Sequence, residues 1–372
     1  MNYKSIATCD VALRPLTVIV GRNGSGKSNF LDSLHFLSDA LRTSLEYAIR
    51  KRGGMREITH RGQKRVSIGV TFQMKNRREC AYSLILGRTA VVQETLEIRA
   101  DDAVIANYRR NRLRLESEVE GVRIRPLPKV LPDRLALVAL SGHEAFRDAF
   151  DALSDMRFYR LNPETMREMQ EPNEGDVLRE DGSNIPSVWG RLQKTQPAVP
   201  RRLTRYLAAM VPNITKIHRV QAGLKETLHF HQGRGKGRRE LTFDAASMSD
   251  GTLRALGALV ASRQGNGSRG TATVVAIEEP ETALHPGAVA ALMDALHEAS
   301  SLTQIIVTSH SPDVVDHVNI ESDALLVTEA RDGATVVAGV DSASREAIRR
   351  HLYTLGELLR MDQLQPAADT PA

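Results

Sequence analysis

Two cysteines in 372 residues, Cys9 and Cys80, are too few for a disulfide framework, so the fold must be held by its own core. A reduced, cytoplasmic protein is the corresponding expectation. Aromatic residues are scarce as well: one Trp, seven Tyr and eight Phe, 4% of the chain. Recognition of nucleic-acid single strands by stacking bases on rings has little to draw on. No apolar run approaches the ~18 residues of a membrane span, and Met1-Asn2-Tyr3-Lys4-Ser5 has no apolar core for a signal peptide. No membrane partner is therefore expected. Sustained heptads and internal repeats are lacking too, which excludes long coiled-coil arms and solenoids.

What is present is the composition of a globular chain, 41% hydrophobic and 26% charged. Its length allows two or three lobes around a sizeable core. The net charge of +5 permits contact with nucleic acid without requiring it. Arginines gather at Arg109, Arg110, Arg112, Arg114, Arg123 and Arg125, at Arg201, Arg202 and Arg205, and in the basic loop 234–239. These are the candidate contacts to double-stranded DNA; the competing reading is a set of solvated faces.

The most informative stretch is Gly21-Arg22-Asn23-Gly24-Ser25-Gly26-Lys27-Ser28-Asn29. It follows Leu16-Thr17-Val18-Ile19-Val20, which reads as a buried strand, and precedes a long helical pattern. Strand, G-x-x-x-x-G-K-S, helix is the setting of a phosphate-binding P-loop. Glycines let backbone N–H groups converge on phosphate oxygens, and the helix N-terminus adds its dipole. Asn23, Gly24, Ser25, Gly26, Lys27, Ser28 and Asn29 are the expected nucleotide-binding residues. Lys27 is expected to reach the β- and γ-phosphates of ATP, and the Ser28 hydroxyl to ligate Mg²⁺.

Along the chain, residues 5–20 read as two short strands around a turn at Arg14-Pro15. Phe30, Leu31, Leu34, Leu37, Leu41 and Leu45 give helical spacing over 28–50. Residues 66–73, 81–86 and 91–98 alternate as an antiparallel lobe. Residues 131–156 and 187–211 read as mostly helical, and 226–243 as a hairpin. Residues 271–277 and 304–308 are buried strands, 286–300 is a helix, and 324–328 and 334–338 are two more strands before a pair of helices.

Four later features line up with the P-loop: Met248-Ser249-Asp250-Gly251-Thr252 before a helical run, a strand ending in Glu278-Glu279-Pro280-Glu281, then Ala283-Leu284-His285-Pro286, and a strand ending in Ser309-His310. In this order the chain resembles the ABC-type P-loop ATPases of the RecF/SMC/OLD-like group, as a standalone AAA-family ATPase without a nuclease domain. The likeness covers about 1–75 and 240–330. It implies an α/β fold, an ABC-type ATPase head with a mixed, largely parallel sheet core and an antiparallel β lobe, plus a mainly helical inserted lobe. The expected domains are a discontinuous head (1–75 and 240–340), the insert (76–239), C-terminal helices (341–362) and a disordered tail (363–372).

The resemblance also implies roles. Glu279 would orient the attacking water, and His310 would sense the γ-phosphate. Glu278 would hold Mg²⁺ in the place where the group usually has Asp, so the extra methylene bears on turnover. Ser249 and Gly251 would bind the γ-phosphate of ATP held by a second subunit, giving an ATP-sandwiched homodimer. Tyr3 and Arg22 are candidates for the nucleotide but read better as packing and solvated groups. Gln73 and Gln170 compete for the glutamine-loop position, which stays unassigned. Glu329 and Asp332 have no strand-borne carboxylate partners, so no nuclease is expected in this chain. The implied function is ATP binding and hydrolysis in DNA maintenance or anti-phage defence, with a separately encoded nuclease or effector as partner. The alternative is a nucleotide-gated regulatory subunit of a toxin or defence complex with little hydrolysis of its own.

Overall fold

The computed structural model describes residues 1–74, 77–88, 90–233, 240–264 and 272–367. The chain forms two compact units, each assembled from separated stretches: one from Met1–Asp10, Gly24–Met156 and Glu329–Val336, the other from Val11–Asn23, Arg157–Thr328 and Val337–Ala372. The stretch 76–239 is thus shared between them. Among the described residues no helix is long and apolar enough to cross a membrane.

The second unit is organised by a sheet whose centre is the strand Leu16–Val20. It pairs in parallel with Gln304–Ser309 on one side and with Ala324–Arg331 on the other. Val274–Glu278 lies parallel beyond Gln304–Ser309, and Arg157–Tyr159 beyond that. A strand covered on both faces needs an unbroken buried run, and all five residues of Leu16–Val20 are buried. Thr17 is the one polar member. Its hydroxyl donates to the Arg14 carbonyl at 3.2 Å and accepts from the Arg14 N–H at 3.0 Å, so its burial leaves nothing unpaired. Helices Asp250–Ala261 and Pro286–Ser300 add Leu253, Leu256, Leu292 and Leu296 to the same core.

A three-stranded antiparallel sheet, Ile214–Ala222, Lys225–Gln232 and Leu241–Asp244, completes this unit with helices Ile185–Thr195 and Ala198–Met210. Trp189 is fully buried there, and its indole N–H donates to the Ile217 carbonyl at 3.1 Å. The expected hairpin over 226–243 is present, but its first strand has a second neighbour, Ile214–Ala222. That strand was hidden because its burial does not alternate. Arg157–Tyr159, three residues long, was hidden by its brevity. The tail expected to lack structure from Gln363 is held over its first residues. Leu364 is buried, and the Ala367 N–H donates to the Gly339 carbonyl at 2.7 Å. Residues 368–372, and the basic loop 234–239, lie outside the described residues.

The first unit carries a six-stranded antiparallel meander, Val66–Gln73, Glu79–Leu86, Val91–Ala100, Ala103–Asn111, Arg114–Val119 and Val122–Arg123. The first of the two strands expected over 5–20 is absent; Tyr3 and Ile6 make only isolated bridges. The single helix expected over 28–50 is two, Lys27–Arg42 and Leu45–Lys51. Ser44 separates them: its side chain accepts from the Tyr47 N–H at 3.1 Å and caps the second helix.

Arg52 fastens the two helices together. Its side chain is almost fully buried and donates to Asp32 at 2.7 Å, to Asp39 at 2.9 Å and to the Ala48 carbonyl at 3.1 Å. Burial alone would raise the Asp39 carboxyl, but His35, Arg52 and Lys51 outweigh it and hold it well below the usual carboxylate range. A depressed carboxylate contributes stability that is full above its unfolded value near pH 4 and is lost as pH falls toward the folded one. Removing the guanidinium takes from two half-buried carboxylates the cation they share, leaving Asp32 with Lys4 and the Tyr3 hydroxyl and Asp39 with His35 and Lys51. Arg52→Ala is expected to lower stability by about 2 kcal/mol at neutral pH and to flatten the acid limb of the stability–pH curve in part, both read by urea unfolding across the acid range.

Candidate functional site

Three parallel strands of the second unit end level with one another. The register sets Val20 opposite Ser309 and Glu278 opposite Thr308. Gly21, Arg22 and Asn23, then His310, then Glu279 therefore leave the sheet from one edge. Ligands of parallel α/β sheets bind beyond the carboxyl ends of the strands.

Glu279 turns sharply there. Its φ is 43°, a left-handed conformation that costs a non-glycine residue roughly 1 kcal/mol or more. Its N–H donates to the Thr308 carbonyl at 3.0 Å and approaches the Thr308 hydroxyl at 3.3 Å. The turn sends the side chain outward, and its Oε1 lies 3.5 Å from His310 Nδ1. Both side chains are open to solvent, 36% exposed for Glu279 and 47% for His310. A carboxylate and an imidazole so placed can both face one water beside them. Glu278, the last residue of its strand, is half-buried.

Residues 24–29 belong to the first unit. Gly24 and Gly26 have φ values of 79° and 105°. Gly26 immediately precedes the helix Lys27–Arg42, and a Cβ on it would overlap the Thr335 side chain. It is required twice, by its backbone angle and by the close approach of its neighbour. Ser25 and Lys27 are buried, while Ser28 is exposed in the first helical turn. Left-handed glycines before a helix start, a buried lysine and an open hydroxyl fit a nucleotide phosphate with its Mg²⁺. Asn29 is used otherwise: its amide donates to the Ser5 hydroxyl at 2.7 Å, and Ser5 also receives the Thr335 hydroxyl at 2.7 Å.

The segment 248–252 begins the helix Asp250–Ala261. Ser249 caps it: its Oγ accepts from the Thr252 N–H at 3.3 Å and lies 2.8 Å from the Thr252 hydroxyl. Ser249 is exposed. Gly251 is buried, and a Cβ on it would overlap the Ala283 carbonyl oxygen, so glycine lets this helix start lie against the turn after Glu279. Arg167 donates to the Met248 carbonyl at 3.1 Å and to the Asp250 carboxylate.

Tyr3 is fully buried and its hydroxyl donates to Asp32 at 2.7 Å, so it is a packing group. Arg22 forms an exposed ion pair with Asp362. Gln170 donates to the Thr165 carbonyl at 2.9 Å within a local turn. Glu329 is paired with Arg331 at 2.6 Å. The arginines over 109–125 do not form one basic face. Arg110 is buried, 3.6 Å from the buried Glu94, while Arg114 pairs with Glu116 at 2.8 Å and Arg123 with Glu118 at 3.3 Å. Of the second cluster Arg202 is taken by Glu298. Arg201 and Arg205 instead line a cleft of about 460 Å³ with Lys216, Gln193, Thr204 and Thr215. Among the described residues, none of these three cations has a carboxylate partner. Arg167 gave no local signal in the sequence, because the groups it touches are distant along the chain; Ser309 stood inside a recognised motif, but without an assigned role. Glu281 stood inside a recognised motif without an assigned role.

A family model described as "AAA domain, putative AbiEii toxin, Type IV TA system" matches residues 16–316. The chain is 54% identical over 39 residues to a DNA replication and repair protein RecF from Porphyromonas gingivalis; that stretch is 10% of this chain and 11% of the relative. The match thus spans about a tenth of the length of its curated relatives. Among solved structures, an SMC head bound to the C-terminal winged-helix domain of ScpA superposes with a TM-score of 0.54 at 15% identity, covering 92% of this chain and 97% of the other. An SMC head with an extended coiled coil, bound to the C-terminal domain of ScpA and derived from Pyrococcus furiosus, gives a TM-score of 0.54 at 15% identity over 94% and 97%. These likenesses establish the head fold. With the family match over most of its length, the chain belongs to that AAA-domain family, and it has the fold of an SMC ATPase head.

Proposed function

We propose that this protein binds and hydrolyses ATP as an ATP-sandwiched homodimer, in the cytoplasm, and that it serves DNA maintenance or anti-phage defence. One observation carries the reading: Glu279 and His310 stand 3.5 Å apart at the end of the sheet from which the P-loop also starts. In this reading the backbone N–H groups of residues 23–28 and Lys27 bind the ATP phosphates, while Ser28 and Glu278 hold Mg²⁺. The ion, when bound, neutralises phosphate charge. Glu279 accepts a proton from the attacking water and aligns it, and His310 donates to the γ-phosphate. Ser249 and the first N–H groups of the helix Asp250–Ala261 face a second subunit, the exposed hydroxyl and helix start suiting a phosphate. Such a pairing is isologous.

DNA contact is assigned to the cleft lined by Arg201, Arg205 and Lys216, whose charges are uncompensated among the described residues. The Porphyromonas gingivalis relative is named for DNA replication and repair, which agrees with this use. A second reading has its own support. Glu278 stands where the resemblance leads one to expect Asp, and its longer carboxylate arm would shift an ion held there. In that case the protein is a nucleotide-gated regulatory subunit of a toxin or defence complex that acts on a protein effector.

Steady-state ATP turnover by the purified chain, with and without duplex DNA, separates the two. Glu279→Gln is expected to lower turnover by about a hundredfold or more and to accumulate an ATP-bound dimer in size-exclusion chromatography with light scattering. Persistent monomers at saturating ATP would sink the homodimer. Turnover in the unmodified protein no faster than in the variant would favour the regulatory reading. For DNA, replacing Arg201, Arg205 and Lys216 by Gln should reduce the slope of log K against log salt by about 0.9 for each phosphate that is no longer neutralised. An unchanged slope would remove the cleft from the interface.

A further inference from the structure

The turn after Glu279 contains a buried acid that the chemistry above does not use. Glu281 is 5% exposed, and its Oε1 accepts the hydroxyl of Ser309. Its Oε2 has no hydrogen-bond partner among the described residues, nor does the buried hydroxyl of Thr282 beside it. Leaving a buried carboxyl oxygen unpaired carries the desolvation cost of that group without the return of a hydrogen bond. Burial pushes this carboxyl up, opposed by the Ser309 hydroxyl, its own backbone N–H and His310, and reinforced by Glu279. A purely structural position would be better filled by an apolar residue. The cost points to a task.

The partners indicate what the task is. Ser309 is the last residue of its strand, fully buried, and immediately precedes His310. Its Oγ donates to Glu281 and accepts from the Ser311 N–H at 2.9 Å. One hydroxyl thus binds the residues on either side of the histidine and ties both to Glu281. Two residues before Glu281, the Glu279 N–H is held by Thr308 at 3.0 Å. Two neighbouring strand ends are consequently cross-tied twice, Thr308 to Glu279 and Ser309 to Glu281, and the exposed pair Glu279–His310 lies beyond the ties. No tie touches the ring of His310, so its place is set through its flanking backbone.

We propose that Glu281 is a positioning residue that fixes His310 beside Glu279 through the Ser309 hydroxyl. The proposal rests on the ATPase reading for its consequence in turnover, but not for its geometry. Glutamine at 281 keeps an oxygen to accept from Ser309, whereas alanine does not.

The test uses the full chain with carbon-13 in its histidine rings. The resonance of His310 is identified by its loss in His310→Ala. Glu281→Ala and Ser309→Ala should each displace that resonance while those of His218 and His231 stay in place; Glu281→Gln should leave it where it is. In the same proteins, ATP turnover should fall roughly tenfold to a hundredfold for the two alanine variants, with nucleotide affinity kept. The double alanine variant should be no slower than the slower single one, because both break one tie. An unmoved His310 resonance in both alanine variants would overturn the proposal, as would Gln at 281 displacing it as far as Ala. Should Glu281→Ala fail to fold, Ser309→Ala decides alone. A displaced resonance in a protein without Glu279-dependent hydrolysis would leave the positioning intact and end the ATPase reading. Glu279-dependent hydrolysis with an unmoved resonance would do the reverse.

Discussion

The register between three parallel strands is the constraint on which the site depends. Because Val20 pairs with Ser309 and Glu278 with Thr308, the P-loop, His310 and the Glu279 turn begin at one edge. A slip of one residue would exchange the faces of every side chain in a strand. Here both faces are apolar and buried, and close packing opposes a slip, which would set side chains of different volume into filled space: Val18, Ile19, Ile306, Val307, Ala276 and Ile277 are all 1% exposed or less. The chemistry is thus aligned by apolar residues that take no part in it.

Beyond the ends of the strands the ladder stops, and side chains take over its hydrogen-bonding work. Thr308, Ser309 and Glu281 satisfy or cross-tie the turns that carry Glu279 and His310. These turns also carry strain and orphaned groups: the left-handed Glu279 and Ala283, with φ values of 43° and 65°, and the unpaired Glu281 Oε2 and Thr282 Oγ1. Beside two exposed titratable groups, such costly features agree with a functional site. Gly26 and Gly251 meet the same kind of demand by subtraction, since a side chain at either would collide with a neighbour.

Charge shows how much depends on tertiary context. Arg110 and Arg201 are the same residue type, each set in an arginine-rich stretch. Arg110 is buried against Glu94, whose carboxylate also accepts from Tyr108 at 2.8 Å and from the Ala136 and Leu137 N–H groups at 2.6 and 3.0 Å. It is part of the first unit's core and unavailable to any ligand. Arg201 instead lines an open cleft with two other cations. Local sequence cannot distinguish them, because the acid that captures Arg110 lies on a neighbouring strand.

Adjacent residues were enough to specify the elements with strong local signals. The buried strand before the P-loop, the glycines that turn it, the helix Pro286–Ser300 and the strands carrying Glu278 and Ser309 were legible because apolar runs, glycine placement and helical spacing are properties of neighbours along the chain. Their order identified the family. The folded molecule alone settled what needed distant partners: the Ser44 break that also served a second helix, the strand Ile214–Ala222 without alternation, the use of Asn29 on Ser5, and Arg167 on the signature turn. The role of Glu281 belongs with these. Its neighbours in sequence announced a catalytic turn, but a carboxyl becomes costly, and therefore informative, only when the fold removes it from water and leaves one oxygen without a donor.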